Sequence, residues 1–316
     1  MKKIFFVFGF LFAYSYLNAQ SDQYVRPLSP SRGHYKDLAA YDPKSQGEEI
    51  DKQKFPLNAA AAERARNLKP YYLQDVDLSD FKIPNPPANS SEQTRAEINY
   101  LLKLQQQRSE GSIESSLHMA GVFYNVRIKA EDSLYSIFRR NLFFVGRSIG
   151  TWFNPQDLPL TADLIANVWR DASYFIWGYK YKYLRVRPYI LEPSINNLEN
   201  TNWAAYPSGH AANSYINAYI YQELAPEFTD VFLKDAYDMA HSREIIGVHY
   251  PSDAEASRIL ARQVVNKLFQ NKKFLNDFEK VKEEWHKKAR EIFARPQLTE
   301  QVKIKSTPSS CAKTCQ

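Results

Sequence analysis

The chain has 316 residues, of which 44% are apolar, 14% aromatic and 24% charged, so it is long enough to bury a core and too well mixed to be disordered. Its formal net charge is +6, and the basic residues are spread along the chain instead of being collected into arms or blocks. This distribution argues against a dedicated nucleic-acid binder.

The first twenty residues are typical of a secretory signal. Lys2 and Lys3 precede an apolar run from Ile4 to Leu17, and the small residue Ala19 that follows is typical of a signal-peptide cleavage site. The run is too short to span a bilayer comfortably, and no uninterrupted apolar stretch of 18 residues follows it. We therefore expect residues 1–20 to be removed on export, which leaves a periplasmic or secreted protein without stable membrane insertion.

Residues 21–88 are predicted to form an extended arm over the surface of the main domain. They contain eight of the 17 prolines and only one obvious helical stretch, at 59–68. Residues 296–316 are predicted to form a polar C-terminal tail. Cys311 and Cys315 lie in it and could close a small disulfide or remain free thiols, and neither indicates a zinc site.

Between these segments, residues 89–295 are predicted to form an all-α domain. Apolar residues recur at three- and four-residue spacing, and none of the ten glycines follows Asn or Asp, so the strongest hairpin signal is missing. Helices are expected near 90–109, 113–141, 160–183, 209–224, 227–246, 253–271 and 274–294.

Three short segments place polar groups where these helices begin or end, and the first is a basic run that reaches Pro188. Lys180 and Arg187 are seven residues apart, close to two helical turns, so they are expected on one face, with Lys182 and Arg185 pointing elsewhere. Two cations on one face are either solvated charge or an anion clamp.

The second segment is Pro207-Ser208-Gly209-His210, which opens a helix of small and aromatic residues. A helix start of this composition leaves backbone N–H groups pointing out of the first turn, where the helix dipole favours an anion. The alternative is an ordinary N-terminal cap with an incidental histidine.

The third segment runs from Ser242 to Asp253. Gly247 is expected to end one helix, and Ser252 with Glu255 to form a capping box for the next. Asp253 follows His249 by four residues, so its carboxylate can fix the imidazole tautomer and leave the other ring nitrogen free to attack. Dipole stabilisation by the carboxylate and a satisfied loop histidine are the alternatives.

The order of these motifs resembles a known signature: K-x6-R-P, then P-S-G-H, then S-R-x5-H-x3-D, over the 74 residues from 180 to 253. It is similar to the phosphatidic acid phosphatase type 2 superfamily, which includes the bacterial class A non-specific acid phosphatases and the vanadium haloperoxidases. The region from 131 to 271 is most like the class A acid phosphatases. The resemblance implies a compact helical bundle of this type and a secreted acid phosphatase.

The resemblance also implies a role for each motif residue. His249 would be the nucleophile that forms a phosphohistidine, Asp253 would orient it, and His210 would protonate the leaving alcohol and then activate water. No metal and no cofactor is implied, and the partners are small phosphorylated substrates; homo-oligomerisation stays open. The non-bridging phosphate oxygens would be held by Lys180, Arg187, Arg243, the Ser208 hydroxyl and the backbone N–H of Gly209.

Other functions share the motif. A vanadium haloperoxidase would hold vanadate on the residue that matches His249, although chain length favours the phosphatase. A lipid phosphate or pyrophosphate is an alternative substrate. An integral membrane phosphatase is a further alternative, but the sequence lacks the transmembrane spans that it would need. A non-catalytic phosphate-binding protein would not need His210. His241 is expected to face away from the site, and the remaining histidines, His34, His118 and His286, have no motif around them.

Overall fold

The computed structural model describes residues 24–41 and 47–294. The predicted signal (1–20), the tail (296–316) and both cysteines lie outside these ranges. Within them the chain forms helices and loops without a β-strand, which confirms the predicted all-α fold. No helix in the described ranges has the length and apolar character needed to cross a bilayer.

Eleven α-helices are present in the described residues. In chain order they are α1 (Tyr35–Leu38), α2 (Ala59–Arg66), α3 (Glu92–Gln107), α4 (Glu110–Ala120), α5 (Tyr135–Asn141), α6 (Pro159–Tyr183), α7 (Pro188–Leu191), α8 (Gly209–Leu224), α9 (Thr229–Ile245), α10 (Pro251–Leu268) and α11 (Lys272–Ala294). Short 3₁₀ turns occupy Glu49–Lys52, Leu78–Asp80 and Pro226–Phe228.

The predicted helix at 113–141 is wrong. The chain leaves the helical path at Gly121 and resumes it only at α5. In between, the Asn125 side chain accepts the N–H of Arg127, and the Asp132 carboxylate accepts the N–H of Lys129. Short polar side chains that bind nearby backbone in this way compete with the helical hydrogen bonds. The intervening segment is therefore a series of turns.

The core is centred on α8, which is buried along most of its length and packs between α9 and α10. A helix with little polar surface is stable only when neighbours cover it on several sides. Aromatic rings fill the space between α8, α11 and the loop before α6. The ring centroids of Phe153, Tyr221 and Trp285 lie 5.2–6.2 Å apart.

The described part of the N-terminal arm contributes side chains to this core. Tyr72, Leu73 and Phe81 are buried, and Phe81 packs edge-on against Phe175 of α6 at 4.7 Å between centroids. Leu78 packs against α6 at Gly178, where any Cβ would lie 2.6 Å from a Leu78 methyl carbon. The arm and the helices thus share one packed interior.

Candidate active site

Lys180 and Arg187 reach the same cavity, but not by sharing a helix face as the sequence suggested. The helix α6 ends at Tyr183, and Leu184 takes a left-handed conformation with φ of 50°. Its N–H closes the helix on the Lys180 carbonyl at 2.9 Å. Because this turn redirects the chain, Arg187 approaches Lys180 from the loop that leads into α7.

The Pro207-Ser208-Gly209-His210 motif begins α8 as predicted. Ser208 is the N-cap, and its Oγ accepts the N–H of Ala211 at 3.4 Å. Gly209 is the first helical residue, so its N–H has no partner within the helix. Gly209 and His210 line the cavity, whereas Ser208 is fully buried behind them.

The third motif crosses from α9 to α10 through Gly247, which has φ of +75°. The predicted capping box of Ser252 with Glu255 is wrong, because α10 begins earlier, at Pro251, whose ring presets a helical φ. Asp253 therefore occupies the third helical position and accepts the N–H of Tyr250 at 3.0 Å. This contact holds the loop that carries His249.

His249 lies in a chain of hydrogen bonds that fixes its tautomer. Its Nδ1 is 2.9 Å from Oδ2 of Asp253, and its Nε2 is 2.9 Å from Nη1 of Arg187. A guanidinium only donates, so Nε2 must be the unprotonated nitrogen and Nδ1 must carry the hydrogen. Burial and the neighbouring Arg187 charge lower the pKa of His249 well below its usual value, against the opposing effect of Asp253. The imidazole is therefore neutral, with its lone pair on Nε2.

Asp253 is held by a second charged residue that sequence reasoning placed away from the site. Arg185 donates from Nη1 to Oδ1 of Asp253 at 2.7 Å, so both carboxylate oxygens are occupied. Burial alone would raise the pKa of Asp253, but Arg185, His249 and the Tyr250 N–H outweigh it and hold that pKa below its usual range. Asp253 is thus an anion fixed behind the imidazole.

Arg185 is shared with Glu97 of α3, a residue that the sequence motifs do not include. The guanidinium donates from Nη2 to Glu97 at 3.1 Å, and its centre lies 3.8 Å from the Tyr250 ring centroid. Glu97 also accepts the N–H and the hydroxyl of Ser252, both at 2.9 Å. The helical spacing of Thr94, Glu97 and Leu101 could have identified Glu97 from the sequence. These residues form a buried stripe on α3, and a carboxylate within such a stripe needs a charged or hydrogen-bonding partner.

Three buried cations surround the face of the cavity next to His249. Lys180 donates to the carbonyls of Ala204 and Ala205 at 2.7 and 3.2 Å, which leaves one of its three N–H groups. Arg187 binds the carbonyls of Trp203 and Val248. Burial, followed by the charge of Arg187, lowers the pKa of Lys180, and burial lowers the pKa of Arg187 to about 10.

Arg243 has donor groups without a partner. Its Nη2 forms an ion pair of 2.5 Å with Glu199, but its Nε and Nη1 are buried and make no hydrogen bond. The residue is only 1% exposed. Because unpaired buried donors are costly, these two N–H groups indicate a site for an anion beside Lys180 and Arg187.

His210 lines the same cavity. Its Nε2 is 3.1 Å from the carbonyl oxygen of Ala120, so this nitrogen carries the hydrogen and Nδ1 is the nitrogen left for other chemistry. Burial and then the charge of Arg243 lower its pKa to about 3. His210 is therefore neutral beside Lys180, Arg187 and Arg243, the three cations that are called the phosphate cradle below.

His241, the neighbouring histidine, is held elsewhere. Its Nδ1 lies 2.8 Å from the Glu244 carboxylate, and its ring stacks on Tyr237 with centroids 5.6 Å apart. It is not part of the cavity wall. Among the described residues, no group of three or more His, Cys, Asp or Glu side chains is arranged to hold a metal ion.

The cavity next to these groups has a volume of about 570 Å³. One end is formed by six motif residues, namely Lys180, Arg187, Gly209, His210, Arg243 and His249. The other two motif residues, Ser208 and Asp253, support this wall from behind through hydrogen bonds. The remainder of the wall is largely aromatic and aliphatic.

The chain is similar to bacterial phosphatases in sequence. It is 28% identical over 230 residues to a non-specific acid phosphatase of Providencia stuartii, an alignment that covers 69% of this chain and 85% of that protein. It is 26% identical over 242 residues to a non-specific acid phosphatase of Salmonella typhimurium, with coverage of 74% and 91%. No family model matches the chain.

The fold is similar to that of a bacterial vanadium-dependent iodoperoxidase. The TM-score is 0.51 at 16% sequence identity, and the match covers 77% of this chain and 63% of that one, so this chain spans less than two thirds of the iodoperoxidase. At this identity the match concerns the fold alone. Together with the sequence relatives, it confirms the resemblance to the superfamily of phosphatidic acid phosphatases and vanadium haloperoxidases.

Proposed function

We propose that this chain is an exported acid phosphatase that hydrolyses phosphomonoesters through a phosphohistidine on His249, without a metal ion. The class of enzyme, a phosphatase, is confirmed by the relatives named non-specific acid phosphatases. The observation that carries the mechanism is the Nε2 lone pair of a buried, neutral His249 beside three buried cations, one of which has unpartnered N–H groups.

Substrate binding uses positive charge that the protein's own groups do not fully compensate. Burial lowers the pKa values of Lys180, Arg187 and Arg243, which means that it destabilises their cationic forms. The ester binds as its monoanion and gives its proton to Nδ1 of His210; the resulting phosphate dianion then partners the three cations and accepts hydrogen bonds from the unpaired N–H groups of Arg243. The Gly209 N–H at the start of α8 completes the set of donors, and Ser208 holds that helix start from behind as its cap.

In the first step, the Arg187 Nη1–H turns from Nε2 of His249 to a phosphate oxygen, and Nε2 attacks phosphorus with the freed lone pair while the bond from phosphorus to the ester oxygen breaks. The leaving oxygen takes from Nδ1 of His210 the proton that the ester monoanion brought, and it departs as an alcohol. Asp253 stabilises the imidazole as it loses electron density, because its carboxylate accepts the Nδ1 hydrogen. Fixed positive charge around the equatorial oxygens lowers the barrier in the way that a metal ion does elsewhere.

In the second step, His210 is neutral and accepts a proton from water. The resulting hydroxide attacks phosphorus, the bond from nitrogen to phosphorus breaks, and the lone pair returns to Nε2 of His249. The proton on His210 passes to the product, which leaves as the phosphate monoanion, and both histidines are restored to their neutral forms. The Ala120 carbonyl holds Nε2 of His210 throughout, so Nδ1 is the atom that exchanges the proton.

Small phosphorylated compounds are the proposed substrates, and the periplasm or the exterior of the cell is the proposed location. The location is supported by Lys2, Lys3 and the apolar run from Ile4 to Leu17. An exported enzyme of this kind meets phosphomonoesters outside the cytoplasm.

The first test is hydrolysis of 4-nitrophenyl phosphate by the chain from residue 21 onward in excess EDTA. Turnover should persist, because Lys180, Arg187 and Arg243 supply the charge. Complete loss on chelation, with recovery on adding Mg²⁺ or Zn²⁺, would overturn the metal-independent mechanism.

The second test is trapping of labelled enzyme by an alkaline detergent quench after mixing with ³²P-labelled substrate. Wild type and His210→Ala should both carry acid-labile label, because an activated leaving group needs little protonation. His249→Ala should carry none. Equal labelling of the His249 variant would show that another residue is the nucleophile.

Vanadate distinguishes this function from that of a haloperoxidase. It shares the charge and shape of phosphate, so the same cations and the donors of Arg243 fit it, and it should inhibit phosphate release competitively. Oxidation of bromide or iodide by added hydrogen peroxide at micromolar vanadate, with turnover above that of phosphate release, would instead assign the chain to the haloperoxidases.

A further inference from the structure

Most of the cavity lies outside the phosphate cradle. Its volume of about 570 Å³ is in the range of cavities that enclose a ligand of many heavy atoms, roughly 300–1,000 Å³, and a phosphate group has only five. The space must therefore receive the alcohol part of the ester. The chemistry of its walls indicates which alcohol that is.

One wall is a continuous stripe along α6 that ends at the cradle. Trp169, Ser173, Ile176 and Lys180 follow one another at spacings of four, three and four residues, and all line the cavity. At 1.5 Å per residue the stripe is about 16 Å long. A group attached to a phosphate held at Lys180 can thus extend along α6 toward Trp169.

A cluster of indole rings stands at the cradle end of this stripe. Trp177 precedes Lys180 by three residues, and its ring meets that of Trp203 edge to face, with centroids 4.6 Å apart. Both indoles line the cavity. The carbonyl of Trp203 accepts Nε of Arg187 at 2.8 Å, so the aromatic wall and the phosphate cradle are fixed to each other.

A second part of the wall comes from the turns that replace the predicted helix after Gly121. Phe123 and Tyr124 line the cavity there, and the Tyr124 ring is 6.2 Å from that of Trp169 in an edge-to-face arrangement. Ala61 and Leu68 of the arm add aliphatic surface. Apart from Arg127, the charged residues of the wall belong to the cradle or pair with it.

On the basis of the phosphatase function above, we propose that the preferred substrates are phosphomonoesters of uncharged aromatic alcohols, whose rings occupy the space between the Trp177–Trp203 pair and Tyr124. Ring pairs in edge or offset contact add affinity beyond the area they bury, and an alkyl chain gains the area alone. A small polar alcohol gains neither the ring contact nor the buried area, and it leaves the aromatic wall exposed to water.

The test compares three substrates that all release a primary alcohol: 2-naphthylmethyl, decyl and ethyl phosphate. The chemical step is matched among them, so differences in kcat/KM report on the leaving-group site. We expect kcat/KM for 2-naphthylmethyl phosphate to exceed that for decyl phosphate by about tenfold, and that for ethyl phosphate by more. Equal values for the naphthylmethyl and decyl esters would overturn the proposal.

Variants of the two tryptophans test which side chains cause the preference for an aromatic leaving group. Trp177→Leu and Trp203→Leu should each lower the ratio of kcat/KM between 2-naphthylmethyl and ethyl phosphate by about tenfold. Trp203→Phe keeps a ring and should preserve most of this ratio. Trp203 is 39% exposed, so its variants are expected to fold even if the Trp177 variant does not.

Two results separate failure of this inference from failure of the proposed function. If all three esters are hydrolysed and the tryptophan variants change kcat/KM by the same factor on each, the aromatic preference is wrong and the phosphatase stands. If no ester is hydrolysed while inorganic phosphate still binds by calorimetry, the phosphatase function itself is wrong, and the inference fails with it.

Discussion

The nucleophile His249 depends on charges that are themselves out of contact with water. Asp253, Arg185 and Glu97 are all buried, and the guanidinium binds both carboxylates. Removing one member of such a group destabilises the fold more than replacing the whole group by apolar residues, since the remaining charges keep their desolvation penalty and lose their partner. Arg185 therefore acts on the reaction through the orientation of Asp253.

We predict that Arg185→Met lowers the free energy of unfolding by about 3–5 kcal/mol, because two carboxylates stay buried without their cation. Arg185→Lys should fold better but lower kcat by about 100-fold, since one ammonium cannot bind Glu97 and Asp253 in the same geometry. Denaturant titration and steady-state kinetics measure the two effects.

Lys182→Met is the matched control, because this neighbouring cation is exposed and lies over the Tyr183 ring at 5.3 Å, outside the cavity. It should change both quantities little. Normal kcat in the Arg185→Lys variant would show that Arg185 does not position Asp253.

The two histidines predict how activity depends on pH. In the free enzyme both are neutral, with the pKa of His210 lowered to about 3 by burial and by Arg243. The reaction needs one proton on His210, and an ester monoanion brings that proton into the complex. We therefore expect kcat/KM to fall tenfold per pH unit above the second pKa of the substrate, about 6 for a typical phosphomonoester.

Two substrates whose second pKa values differ measure the origin of this alkaline limb. The limb should move with the substrate, because the pKa of His210 in the free enzyme, about 3, lies well below it. An alkaline limb at one fixed pH for both substrates would place the titrating group on the free enzyme instead.

At the scale of single elements, the link between α9 and α10 depends on Gly247. Its φ of +75° is a left-handed conformation, and a Cβ there would lie 2.8 Å from Cγ2 of Ile195. The residue stands two positions before His249. Because His249 has to reach both Arg187 and Asp253, a shift in this link moves the nucleophile away from its partners.

We predict that Gly247→Ala lowers the free energy of unfolding by about 2 kcal/mol or more, from the left-handed backbone together with the clash. It should also lower kcat. Gly111→Ala in α4 is the control, since nothing lies within 4 Å of its Cβ position, and it should raise the free energy of unfolding by about 0.5–1 kcal/mol. Equal effects of the two changes on kcat would contradict a role for the link.

The helices that the sequence predicted well have local signals at their ends. The helix α8 begins at Gly209 after the Ser208 cap, and α6 begins at Pro159, which is favoured at a first helical position. The break at Gly121 was missed because the turns that follow depend on the side chains of Asn125 and Asp132. These residues are compatible with helix when considered one at a time.

The motif residues of the site could be identified from the sequence, and their supports could not. Lys180, His210 and His249 stand in recognisable segments, whereas Glu97 is 88 residues from the Arg185 that it binds. No local pattern relates residues so far apart. The same holds for Ala120, whose contact with His210 is made by a backbone carbonyl.

At the scale of the whole molecule, the arm is part of the interior that supports the site. Arg258 of α10 donates to Ser31 at 2.9 Å, and Leu68 forms part of the cavity wall. Asp171, in the middle of α6, accepts the backbone N–H groups of Tyr71 and Tyr72. Removal of the arm would therefore expose core residues of α6 and leave this buried carboxylate without donors.

The Asp171 carboxylate predicts how the stability of the whole fold depends on pH. Burial raises its pKa from 3.8 to about 6, although the N–H groups of Tyr71 and Tyr72 oppose this. Between these two values the folded chain binds more protons than the unfolded chain, so this group lowers the free energy of unfolding as pH rises.

The rise of about 2 pKa units at Asp171 (6 − 3.8) corresponds to roughly 3 kcal/mol lost by pH 7. Asp171→Asn cannot ionise. We therefore expect its free energy of unfolding, measured relative to wild type by urea titration, to improve by about 2.4 kcal/mol between pH 4 and pH 7, because part of the loss has occurred by pH 4. The amide cannot accept both N–H groups as the carboxylate does, so the variant has a constant penalty at every pH, and the change with pH is the informative quantity. A difference between the two proteins that does not vary over this range would mean that Asp171 titrates as an ordinary carboxylate, with its hydrogen bonds from the arm offsetting the burial.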